Sequence, residues 1–93
     1  MQRRVELLPR AQKDLEALPL SIQEQIIAKI ELLRDFPELG PAMVDAFQGY
    51  RAILAAKNTY RVVYRILADD LVEIAYIRHC ARQTRLWLVR GKE

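Results

Sequence analysis

Near its C-terminus the chain reads I-R-H-C-A-R-Q-T-R over residues 77–85, which packs three arginines, the single histidine and the single cysteine into nine positions. Guanidinium forks hold phosphate oxygens by bidentate contact, and an imidazole exchanges protons near neutral pH. Such a set is chemically sufficient for cutting RNA without a metal. The substrate's 2′-hydroxyl is the nucleophile, arginines neutralise the phosphorane, and a histidine orients the hydroxyl or protonates the leaving oxygen. The same set is equally sufficient for binding an acidic partner. One His beside one Cys is too few ligands for a metal, and neighbours on a strand point to opposite faces, so His79 and Cys80 do not form a nucleophile pair. Cys80 is expected to be a buried structural residue. The chain lacks a Gly-rich phosphate loop, H-E-x-x-H and C-x-x-C, so neither metal nor cofactor is expected.

The elements that must position these residues change period half-way along the chain. Residues 3–8 read as a short edge strand. Pro9 suits a first helical turn, with Ala11, Leu15 and Leu18 following at helical spacing, so a helix is expected over 9–18, ended by Pro19. Ser21 and Glu24 have the spacing of a capping box. Ile22, Ile26, Ile27, Ile30 and Leu33 then define one face of a second helix that stops near Asp35, before Pro37. Residues 37–49 read as a loop. Residues 50–56, 60–67 and 71–78 are rich in β-branched and aromatic types and are separated by K-N-T and A-D-D turns, the pattern of an antiparallel meander. The expected fold is α+β: one domain over residues 1–93, with an N-terminal helical hairpin covering one face of a small, mainly antiparallel sheet.

Strand alternation sends Arg61, Val63 and Arg65 to one face and Tyr60, Val62, Tyr64 and Ile66 to the other. The arginine face is expected to be the open one. It would collect Arg51 if the register allows, together with Arg61, Arg65 and Arg82, with His79 beside them. The charge distribution agrees. Residues 1–48 carry six basic and eight acidic side chains, whereas residues 49–93 carry nine basic and four acidic. The second half is therefore a candidate surface for a polyanion or an ordinary solvated basic surface. No apolar run is long enough to span a membrane, the N-terminus lacks a signal-peptide core, and a lone cysteine fits a reducing compartment; a cytoplasmic protein is expected.

Y-R-V-V-Y-R-I at 60–66 and H-C-A-R at 79–82, with P-R-A-Q-K-D-L-E-A-L-P, the P-E-L-G loop and G-Y-R, resemble the RelE/ParE superfamily of type II toxins over essentially the whole chain. The resemblance implies a helical hairpin against a small sheet. It also implies neutralisation by a co-expressed antitoxin, possible as a heterotetramer or larger complex, and one of two activities: RelE-like members cut mRNA on the ribosome, ParE-like members poison DNA gyrase.

By that resemblance Arg61 matches the arginine at the scissile phosphate. Arg51 falls where such nucleases have a lysine, a further lysine falls on Ile53, and Lys57 is a loose substitute. Arg82 matches the arginine ending the last strand, and Trp87 lies near a tyrosine position, able to stack on a base but not to move a proton. His79 is then the replacement proton donor, its bland alternative being a strand-end residue that bonds only the backbone. Arg61, Arg82, His79 and Arg51 form the expected catalytic set. Lys57, Arg65, Arg78, Arg85 and Trp87 are the expected RNA contacts, although a solvated surface role is favoured for Arg65 and Arg85. The preferred reading is ribosome-dependent, metal-free mRNA cleavage. The alternatives are a gyrase poison and a non-toxic antitoxin-binding remnant.

Overall fold

The computed structural model describes residues 3–68 and 70–81. Strand β1 (Arg4–Leu7) leads into helix α1 (Pro9–Glu16), and α2 (Leu20–Glu31) follows after a tight turn. Two single 3-10 turns, Leu32–Arg34 and Asp45–Phe47, precede strands β2 (Arg51–Ala55), β3 (Tyr60–Ala68) and β4 (Leu71–His79). The sheet order is β1-β4-β3-β2. β1 runs parallel to β4, and β2, β3 and β4 form the expected antiparallel meander.

Pro9 opens α1, and Ala11 and Leu15 are buried four residues apart on its inner face. α2 begins two residues earlier than the Ser21–Glu24 spacing implies, and that capping box does not form. Pro19 takes the cap position instead: its carbonyl accepts the N–H groups of Ile22 and Gln23, and the Gln23 amide donates to the Leu18 carbonyl at 2.7 Å. Ser21 thus lies inside the first turn, where it caps nothing. Ile26, Ile30 and Leu33 are buried, whereas Ile27 is turned off this stripe and is 43% exposed.

Both helices pack on one sheet face against Ile53, Val62, Tyr64, Val72, Ile74 and Ile77. The 37–41 loop is fastened to this core by Tyr64. Its hydroxyl donates to the Pro37 carbonyl at 2.6 Å and accepts the Gly40 N–H at 3.0 Å. Gly40 lies so close to β2 that a Cβ there would sit 2.7 Å from Ile53 Cγ2 and from the Ala52 carbonyl carbon.

One irregularity decides the chemistry of the sheet. Val63 pairs with Tyr76, but the next residue, Tyr64, pairs with Ile74, so Ala75 is an extra residue in β4. A β-bulge of this kind reverses which face the following residues meet. Val72 and Ile74 enter the core before it, and Ile77 enters the core after it. Strict alternation from Val72 would have buried Tyr76 and Arg78 instead.

Candidate functional site

The bulge sends Arg78 to the face away from the helices, directly opposite Arg61, and turns His79 to the helix side opposite Tyr60. The expected grouping of His79 with Arg61 is therefore corrected: the extra Ala75 flips the parity of the strand end.

Arg51 is corrected in the same way. Register pairs it with Tyr64, on the helix face with Ile53 and Ala55, while Ala52 and Leu54 are the β2 residues that share the side of Arg61. Its guanidinium Nη1 donates to the Gly40 carbonyl at 2.7 Å, so it braces the same loop that Tyr64 holds.

Arg65 does share the Arg61 face. It is bound to Glu73 at 2.8 Å and lies over the Tyr50 ring at 5.3 Å. The hydrogen bond to Glu73 is the main reason its pKa is raised. Its charge is thus matched locally, in line with a structural surface role. Lys57 is exposed in the β2–β3 turn, where Ala56, Lys57 and Asn58 all adopt positive φ. Arg82, Arg85 and Trp87 lie outside the described residues.

Nor is the Arg61 face simply open. Val63 is fully buried yet stands outside the main core. Its cross-strand neighbour Tyr76 meets the edge of Phe47 at 6.5 Å, so the 45–47 turn folds over part of this face. Arg61 and Arg78 form a like-charge cross-strand pair, and among the described residues neither makes an ion pair. Such a pair costs stability unless an anion occupies it. Arg78 stacks on Tyr76 at 5.5 Å, and Arg10 of α1 reaches the same ring at 6.0 Å. Arg10 was not among the expected site residues.

His79 sits at the end of β4, its ring edge-on to Tyr60 at 5.2 Å. Its Nδ1 accepts the Ala81 N–H at 3.2 Å, the backbone contact of the bland reading. Cys80 is partly buried, and its N–H donates to the Thr59 carbonyl at 2.8 Å.

Residues 5–84 match the family described as the ParE toxin of the type II toxin–antitoxin system, parDE. The chain belongs to this family of toxins. Among solved structures it is similar to the RelBE2 toxin–antitoxin complex of Mycobacterium tuberculosis, with 25% identity, 85% of this chain and 99% of that chain covered, and a TM-score of 0.71. It is also similar to the E. coli toxin RelE in the free state (18% identity, 86% and 85% covered, TM-score 0.71). The chromosomal ParDE system of P. aeruginosa gives the same TM-score at 14% identity, with 84% and 96% covered. The α+β architecture of this ParE-family toxin is thus the RelE/ParE fold, which is common to members named for either activity. Comparison with curated protein sequences gives no match. Among the described residues no helix is long and apolar enough to cross a membrane.

Proposed function

We propose that this toxin arrests growth in the ParE manner, by poisoning DNA gyrase through a protein-binding surface, and that a co-expressed antitoxin neutralises it. The observation that carries this reading is the separation of Arg61 from His79 by the bulge at Ala75. Metal-free RNA cleavage requires the proton-transfer group within hydrogen-bond reach of the phosphate that the arginine holds. Here the arginine pair and the imidazole belong to opposite faces, and Arg51 is turned to the Gly40 carbonyl. The family match over residues 5–84 supports the same reading.

Ribosome-dependent mRNA cleavage is the second reading, favoured by one feature. The unmatched Arg61–Arg78 pair is the arrangement a phosphate would stabilise. In that case Arg61 and Arg78 hold the phosphate and proton transfer falls to a group other than His79.

One experiment separates the two. Purified toxin is added to a gyrase supercoiling reaction and, in parallel, to a cell-free translation system whose reporter mRNA is mapped by primer extension. Cleaved DNA complexes or lost supercoiling, with intact mRNA, support gyrase poisoning. New 5′ ends inside translated codons that vanish without ribosomes overturn it in favour of cleavage. Inactivity in both assays leaves the antitoxin-binding remnant.

A further inference from the structure

On the helix side of the β4 end, α1 and the strand enclose a groove of about 870 Å³ that nothing in the proposed activity uses. It exists because β1 stops at Leu7, opposite Ile74, so that among the described residues the last part of β4 has a strand on its β3 side alone. α1 lies there instead, and the Asp14 carboxylate accepts the Ile77 N–H at 3.0 Å. The other Asp14 oxygen accepts from Arg10 Nε at 3.3 Å. The one carboxylate among the described lining residues is therefore already occupied at both oxygens.

The remaining polar lining consists almost wholly of donors. Lys13 and Arg10 come from α1 and His79 from β4, while Arg78 lines the wall but carries its guanidinium over Tyr76. The Ala81 N–H bond to Nδ1 puts the proton of the neutral imidazole on Nε2, so the ring too has a donor to offer. Arg10 is held by Asp14 and by its contact with Tyr76, which reduces the rotamer freedom lost when it closes on a ligand. Among the described residues two cations and one donor imidazole against a single engaged carboxylate give the groove a net positive charge. The Tyr60 ring and the apolar side chain of Leu18 line the rest.

We propose that this groove is a phosphate-binding site, separate from the Arg61 face, that takes a phosphate monoester held by Lys13, His79 and Arg10. The monoester is a nucleotide, the terminal phosphate of a nucleic acid, or free phosphate; all three present the same dianionic group to the same donors.

The test is calorimetric titration of the full chain at constant ionic strength with inorganic phosphate, adenosine monophosphate, and oligonucleotides with and without a 5′-phosphate. Saturable binding is expected. Lys13→Ala and His79→Gln are each expected to weaken it by about tenfold, the loss of one charge-assisted hydrogen bond. Both residues are exposed, so both variants keep the fold. Arg4→Ala, at the opposite end of β4, is expected to leave the affinity unchanged. The tightest ligand identifies the source of the phosphate. Absence of saturable binding overturns the proposal, as does binding lost in Arg4→Ala and kept in Lys13→Ala.

Discussion

Arg61 and Arg78 face each other across β3 and β4, while His79, one residue further along, faces Tyr60 on the other side of the sheet. Two cations opposed without a carboxylate between them lower stability. Arg61→Glu is therefore expected to raise stability by about 0.2–1 kcal/mol, read as a higher urea midpoint at unchanged slope, and to abolish toxicity on induction in cells. A variant that is both folded and fully toxic would remove Arg61 from the functional surface.

Tyr64 is buried, and its hydroxyl serves two backbone groups of the 37–40 loop. Tyr64→Phe leaves the Pro37 carbonyl and the Gly40 N–H without partners. The expected loss is about 2 kcal/mol, measured by chemical denaturation. A loss indistinguishable from zero would mean that the loop rearranges to satisfy both groups.

The same phenol predicts an alkaline limit. Burial is the largest cause of its raised pKa, opposed by the hydrogen bond from Gly40. A folded-state pKa above the unfolded value of about 10 means that the folded state holds its proton more tightly. The contribution is fully present below about pH 10 and is lost as pH rises through the folded value. Melting temperatures recorded from neutral to strongly alkaline pH are expected to fall more steeply for the wild type than for Tyr64→Phe. Parallel curves would contradict this.

Gly40 offers an independent check on the same loop. Gly40→Ala drives a methyl group into the β2 backbone and Ile53, with an expected cost of about 1–3 kcal/mol from overpacking. Wild-type stability in this variant would show that the loop does not lie so tightly on β2.

Asp14 replaces a missing strand at the β4 edge. Asp14→Ala is expected to cost about 1–3 kcal/mol by stranding the Ile77 N–H, and to speed hydrogen exchange at that amide. Asp14→Asn keeps an acceptor and is expected to retain most of the protection. Equal exchange in all three proteins would assign the protection to something other than the carboxylate.

Much of this protein could be read before its fold was known, because it depends on local pattern. The period change near residue 50, Pro9 and Pro19 at the helix boundaries, and the K-N-T turn set the helical hairpin and the meander, although α2 gives way to a 3-10 turn at Leu32 rather than running to Asp35. The alternation of β3 correctly put Arg61 and Arg65 on one face, because β3 is regular from Tyr60 to Ile66. The faces of Arg51 and His79 were not decided locally. A β2 register that pairs Arg51 with Tyr64 and an extra residue at Ala75 depend on which side chains the helices bury, and burying Ile77 together with Ile74 requires the bulge. The Leu-Val-Glu-Ile-Ala-Tyr-Ile-Arg run reads as one even strand with no turn residue to mark the break. The sequence by itself determined the elements, their order and the inventory of cations. Only tertiary packing decided which cations share a face, since one inserted residue reverses the side of every residue after it.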